Sequence, residues 1–217
     1  MKKSIAVLGL GKYGMTLVKT LYEMEAEILA ADRNEELVNE ATKYCTSSVG
    51  ADLSNEENLQ ALGLKDMDIV VVAMAKNLEA SIISVSVSKE LEVPLIVAKS
   101  GSARMSSILE KIGADRVVIP EEYAGERWAK NLISETILDF FEVDSSLCMI
   151  EMKPLDKWIG KSAKDLDLRR KNKINILAFK TGNTLWTMAD PNQKLDVDTR
   201  LLVVMDRKTL EELTGME

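Results

Sequence analysis

Residues Ser4 to Leu21 read SIAVLGLGKYGMTLVKTL. The apolar run Ile5 to Leu8 breaks into three glycines, Gly9, Gly11 and Gly14, and a helix-period pattern follows at once. Each glycine has its own task in a phosphate cradle. Gly9 permits a tight turn, Gly11 lets backbone approach an anion, and Gly14 lets helix and strand pack closely, while the helix start offers unpaired N–H groups. Asp32 ends the next apolar run, 21 residues after Gly11, where a carboxylate accepts hydrogen bonds from ribose hydroxyls. Its charge disfavours the 2′-phosphate of NADP. Arg33 beside it weakens that discrimination and is placed to stack on adenine. Lys12 sits inside the glycine loop, where a positive charge reaches terminal phosphates.

Working outward, apolar runs alternate with helical patterns to about residue 142. Ile28–Ala31, Ser47–Val49, Ile69–Ala73, Leu95–Ala98 and Val117–Ile119 read as further strands. Helix starts are marked by Asn34, Asn77 and Ser102 and by a capping box of Ser54 with Glu57. This alternation implies parallel strands, right-handed crossovers and helices on both faces. The expected fold is α/β: a doubly wound parallel Rossmann sheet. Ligands of such sheets bind beyond the carboxyl ends of the strands, which adds Asp52, the segment Ala73-Met74-Ala75, Lys99 and Glu121 to the candidate site.

Pro120 opens a helical reading of residues 121–141, EEYAGERWAKNLISETILDFF, with Trp128, Leu132, Ile133, Ile137, Phe140 and Phe141 on one broad apolar arc. Such an arc suits a core face or a subunit or domain interface. The expected boundary follows it, giving residues 1–142 as a nucleotide-binding domain with its connecting helix and 143–217 as a small α+β C-terminal domain. There, Leu147–Met152, Ile174–Phe179, Leu185–Met188 and Leu201–Met205 read as strands, Ser162–Leu166 as a short helix, and a last helix starts at Thr209. A module of this size gains stability by pairing.

The 217 residues are 46% hydrophobic and 29% charged, the composition of a folded chain with a sizeable core. With 28 basic and 35 acidic side chains, the net charge of −7 gives no general basic field, so nucleic acid is not an expected partner. Cys45 and Cys148 are isolated, which fits buried thiols in a reducing cytoplasm. The first strand follows Lys2 and Lys3 directly, which leaves no room for a signal peptide, and Ile69–Ala75 falls far short of the ~20 apolar residues of a membrane span. The chain has no histidine, no Tyr-xxx-Lys pair and no Walker GxxxxGK[ST] loop. These residues point to a switch rather than an enzyme. The rival reading is an NAD(H)-dependent oxidoreductase or an NAD/NADH redox sensor; a third is a standalone nucleotide or second-messenger buffer.

Several segments together resemble a known family. They are GLGKYG, Asp32, GADLSNEENLQALG (50–63), DIVVVAMAKNLEAS (68–81), VAKS (97–100), IGADRVVIPEE (112–122) and the module from Leu147 to Leu213. In order and spacing they are similar to the RCK proteins, the regulators of K⁺ conductance, and within them to cytosolic subunits of Ktr and Trk potassium uptake systems, with TrkA-N and TrkA-C domains. The resemblance implies a non-enzymatic, nucleotide-regulated gating subunit. Such a subunit forms homodimers that assemble as a homo-octameric ring beneath a membrane-embedded K⁺ channel or transporter subunit. It is cytoplasmic, peripheral on the inner face of the cell membrane through that partner, and changes ring shape as ATP replaces ADP or as NAD(H) binds.

By position, the resemblance assigns ribose to Asp32 and phosphates to Gly9, Gly11, Lys12, Tyr13 and Gly14. Lys12 stands where many Ktr subunits have an arginine, so the bidentate fork is lost. Asp52, Leu53, Ala73, Met74 and Lys99 take the remaining nucleotide contacts. Glu121 matches a carboxylate that, in some relatives, meets a cation between two nucleotides of a dimer, where Mg²⁺ or Ca²⁺ would suit oxygen ligands. Arg169, Asn175, Ile176 and Pro191 match positions that bind cyclic di-AMP in some relatives.

Overall fold

The structure, a computed structural model, describes residues 2–133, 136–144 and 146–214. The chain divides into two compact units, residues 1–121 and 122–217.

The first unit alternates strand and helix as β1 (Ser4–Leu8), α1 (Lys12–Glu23), β2 (Glu27–Asp32), α2 (Glu35–Ala41), β3 (Ser47–Gly50), α3 (Glu56–Ala61), β4 (Ile69–Val72), α4 (Leu78–Glu90), β5 (Leu95–Lys99), α5 (Ala103–Ile112) and β6 (Arg116–Val118). The strands form one sheet in the order β3-β2-β1-β4-β5-β6, every neighbouring pair parallel. The order reverses between β1 and β4, which opens a crevice at their carboxyl ends.

Alternation along each strand sends side chains to two faces, and each face buries its own core. Ala6, Leu8, Leu29, Ala31, Val70, Val72, Ile96 and Ala98 pack with Leu59 of α3, Val85 of α4 and Leu109 of α5. Ile5, Val7, Ile28, Ala30 and Val71 pack with Met15 and Val18 of α1 and Val38 of α2. The doubly wound plan follows from this division of the apolar residues.

Asn34, Asn77 and Ser102 cap α2, α4 and α5, their side chains accepting from the N–H groups of Glu36, Ala80 and Met105. The expected Ser54 capping box is not formed. Asn55 caps α3 by accepting from Asn58 N–H, because Ser54 is engaged upstream: its N–H and hydroxyl both donate to Asp52 Oδ1, at 3.0 and 2.7 Å.

The helix expected over 121–141 is also corrected. Helix α6 spans Pro120–Ile133, and Ile137–Glu142 forms strand β7, antiparallel to β8 (Leu147–Met152). Compactness therefore groups residues 122–142 with the second unit, not with the first as the 142/143 boundary had it. The reason lies in ILDFFE, where Ile137 and Phe140 are buried and Phe141 is exposed. A bulge between Ile137 and Asp139 shifts the register, so a helix-like spacing of apolar residues belongs to an irregular strand.

The second unit continues with α7 (Ala163–Leu166), α8 (Leu168–Lys171), β9 (Asn175–Thr181), β10 (Thr187–Met188), β11 (Thr199–Asp206) and α9 (Arg207–Thr214). Its sheet runs β10-β9-β11-β8-β7, all antiparallel. Its inner face buries Phe140, Ile150, Met152, Phe179, Leu201 and Val203 with Trp158, Leu168 and Leu195. Ser162 and Asp165 form a reciprocal capping box at the start of α7.

Candidate functional site

The glycine loop is shaped by two steric facts. Gly9 has φ +97°, and a side chain there would meet Met74 Cγ at 2.5 Å. Gly14 packs its Cα face on the loop so tightly that a Cβ would overlap the Gly9 carbonyl oxygen and stand 3.2 Å from Ala73 Cβ. Gly11 is different: its φ is −59° and a Cβ built on it meets nothing within 4 Å. The space in front of Gly11 is open, and α1 begins there with no side-chain cap. Its first N–H groups, which have no acceptor within the helix, lie at the positive end of a 12-residue helix.

Asp32 is oriented before any ligand arrives. Oδ2 accepts from Leu10 N–H at 2.6 Å and Oδ1 from Asn34 N–H at 2.8 Å. Each carboxylate oxygen keeps a further acceptor site, so a vicinal diol can still bond to this fixed group. Asp52 is held likewise. The Ser54 hydroxyl, then its N–H, keep its carboxyl below the usual aspartate range.

On the other side of the crevice, Lys99 Nζ lies 2.6 Å from Glu121 Oε1 and 5.5 Å from the centre of the Tyr13 ring. The Lys99 side chain is 14% exposed and that of Glu121 66%. The hydrogen bond from Lys99 holds the Glu121 carboxyl below the usual glutamate range. Burial pushes the Tyr13 hydroxyl up, with the Lys99 charge opposing and the Glu121 charge adding.

These groups surround one cavity of about 500 Å³, within the range of small-molecule sites. Of the nucleotide residues expected from the sequence, Gly9, Gly11, Lys12, Tyr13, Asp32, Arg33, Asp52, Leu53, Ala73, Met74 and Lys99 line it, as does Glu121. Gly14 lies behind the loop, where it sets the packing. Lys76 and Ala80 line the cavity without having been singled out, and Asn77 does so besides capping α4. All three follow β4, the strand beside the glycine loop, and the rule that ligands bind at the switch point of the sheet points to them.

The residues suit an adenine nucleotide. Asp32, Arg33 and Asp52 on the β2–β3 side offer acceptors and a stacking cation, the open backbone at Gly11 offers N–H groups, and lysines follow toward β4 and β5. For a cation, Glu121 stands as a single carboxylate paired with Lys99, and no group of three or more His, Cys, Asp or Glu side chains gathers for a metal among the described residues.

In the second unit, Arg169 lies on α8, and Asn175 and Ile176 open β9 opposite Val204 and Val203 of β11. Pro191 lies in a turn whose carbonyl accepts from Lys164 N–H at 3.0 Å. Arg169, Asn175 and Pro191 are exposed and Ile176 is half-buried.

Residues 5–120 match the TrkA-N domain, and residues 149–215 match the TrkA-C domain. The chain is 38% identical over 182 residues to Ktr system potassium uptake protein C of Bacillus subtilis, covering 84% of this chain and 82% of that one. It is 31% identical over 202 residues to Ktr system potassium uptake protein A of Vibrio alginolyticus, covering 93% and 92%. Among solved structures, the GsuK RCK domain aligns over 100% of this chain with a TM-score of 0.69 at 15% identity. The GsuK channel bound to NAD aligns over 98% with a TM-score of 0.68 at 14% identity. This chain spans 48% and 39% of those two chains, and the likeness is one of fold. With the TrkA-N match covering more than half of its residues and Ktr proteins similar along most of its length, this chain belongs to the TrkA-N/TrkA-C family, together with the Ktr potassium uptake proteins.

Proposed function

We propose that the chain is a non-enzymatic regulatory subunit of a potassium uptake system, switched by an adenine nucleotide held between Asp32 and the Gly9–Gly14 loop. The observation that carries this reading is the cavity at the carboxyl edge of the sheet, with Asp32 prepositioned and the backbone open at Gly11, in a chain 38% identical to a Ktr protein. ATP and ADP share the adenosine end and differ at the terminal phosphate, toward the lysines. Exchange between them shifts the balance of two conformations by the difference of their affinities for each; a tenfold preference supplies ~1.4 kcal/mol per site. Several sites in an oligomeric ring add, and a homo-octamer built from dimers passes the change to a membrane-embedded K⁺ channel or transporter subunit. The subunit itself works at the cytoplasmic face. Among the described residues no helix is long and apolar enough to cross a membrane.

NAD(H) is the second reading, supported by a fold relative, the GsuK channel bound to NAD; another GsuK structure is bound to ADP, in line with the first reading. In the same proposal Glu121 meets Mg²⁺ or Ca²⁺ when the nucleotide is present. Arg169, Asn175, Ile176 and Pro191 receive cyclic di-AMP, and titration calorimetry showing no heat up to ~100 μM ligand removes that part.

Small-angle scattering of the assembled protein tests the switch. Different curves with ATP and with ADP are expected. Identical curves at saturating amounts of both would contradict the gating reading even if both bind.

A further inference from the structure

Four basic side chains line the cavity, Lys12, Arg33, Lys76 and Lys99, and they are not equivalent. Lys99 is committed to Glu121 at 2.6 Å and leans on the Tyr13 ring. Arg33 directly follows Asp32 at the end of β2, on the other side of β1 from β4. Lys12 and Lys76 remain. Among the described residues neither has a carboxylate within 4 Å, and both are exposed to the crevice.

Their placement follows from the topology. β1 and β4 are adjacent parallel strands, and the crevice opens at their carboxyl ends. Lys12 opens α1, whose Met15 and Val18 pack on the face of the sheet carrying Ile5 and Val7. Lys76 lies in the loop between β4 and α4, and α4 packs Ala80 and Val85 on the opposite face with Ala6 and Leu8. Two uncommitted ammonium groups therefore enter the crevice from opposite sides of the sheet. In the nucleotide reading, a phosphate chain that starts at Gly11 and runs toward β4 would approach the side from which Lys76 enters.

Resting on the nucleotide reading above, we propose that Lys76 is a specificity-determining residue of this cavity, an ammonium that reads the charge of the ligand's terminal phosphate. A compact cation on a flexible stem attracts in proportion to the charge it meets and has no rigid fork to select one geometry. Its contribution grows from adenosine, which carries no phosphate, through ADP to ATP. Since the group is exposed, salt screens it. Lys99 differs in that its charge is already partly offset by Glu121 at 2.6 Å.

Calorimetric titration of adenosine, ADP and ATP into the full chain, as wild type, Lys76→Met and Lys76→Arg, in magnesium-free buffer, tests this. For Lys76→Met we expect ATP to bind about tenfold more weakly and ADP about threefold more weakly, with adenosine within about twofold of wild type. Lys76→Arg recovers most of the ATP affinity, and the ratio of ATP to adenosine affinity in wild type falls as salt rises. An unchanged ratio in Lys76→Met overturns the proposal, as does an equal loss for all three ligands, which would make Lys76 a support of the cavity wall. If wild type binds none of the three, the nucleotide reading fails first and this proposal with it, a result visible before any substitution is made.

Discussion

Lys99 at the end of β5 and Glu121 in the first turn of α6 join across 22 residues of sequence through a 2.6 Å hydrogen-bonded ion pair. The pair closes the β5–β6 side of the cavity and sets what Lys99 can do there. In the proposed complex a ligand phosphate would share this ammonium with the Glu121 carboxylate, whose negative charge opposes it.

Removing that charge changes the outcome in a defined direction. Glu121→Gln is expected to bind ATP about threefold or more tightly than wild type in magnesium-free buffer, because Lys99 is released. With Mg²⁺ present the order reverses if Glu121 holds the cation. Fluorescence competition with and without Mg²⁺ checks both arms; unchanged affinity in both shows that Lys99 and Glu121 take no part.

The glycines separate fold from binding. Gly14→Ala places a methyl group on the Gly9 carbonyl oxygen and is expected to cost about 1–3 kcal/mol of stability. Gly11→Ala meets nothing within 4 Å and needs no unusual φ, so stability should stay within about 0.5 kcal/mol while ATP affinity drops. Urea melts paired with ATP titrations distinguish the two. Equal losses of stability would refute the division of labour.

Asp32 has a structural part beside the ligand role proposed for it. Asp32→Ala leaves the N–H of fully buried Leu10 without its acceptor, so a loss of about 1–3 kcal/mol is expected with no ligand present. Thermal denaturation of the ligand-free variant measures it. A variant as stable as wild type would show that the 2.6 Å bond contributes little.

The C-terminal unit offers a pH test. The Asp165 carboxyl is held below its ordinary value of 3.8, first by the hydrogen bond from the Ser162 hydroxyl and then by the Ser162 N–H. A carboxyl lowered in the folded state stabilises above its unfolded value, and the contribution disappears as pH falls through the folded value. Ser162→Ala should therefore lower stability near pH 7, and the gap to wild type should narrow as pH falls below 3.8. A gap that is constant with pH would place the stabilisation in the neutral half of the box, Asp165 N–H to Ser162 Oγ.

Much of the fold is legible in the sequence because strands of a parallel sheet are buried on both faces and read as unbroken apolar runs. Ile5–Leu8 and Ile69–Val72 are such runs. The C-terminal part of the connecting segment is not legible in this way. Ile137, Phe140 and Phe141 have a helix-like spacing, and only pairing with β8 through a bulge makes them a strand. At Ser54 the local competition was decided by Asp52, which no cap rule weighs. The cavity shows the same contrast. Gly9, Gly11, Gly14 and Asp32 form a motif of fixed spacing, whereas Lys76 is a single lysine in a loop and joins them only because β4 lies beside β1. The commitment of Lys99 to Glu121 is likewise a matter of tertiary distance.

The central claim is that the cavity in front of Gly11 holds an adenine nucleotide. Melting curves of wild type and Gly11→Val with ATP, ADP and NAD⁺ test it most directly. A ligand at 100 times its Kd adds about 2.7 kcal/mol, read as a rise of several degrees. The account predicts such a rise for wild type with ATP and ADP, and its loss in Gly11→Val with the ligand-free melting temperature preserved. No rise with either nucleotide, or the same rise in Gly11→Val, would contradict it.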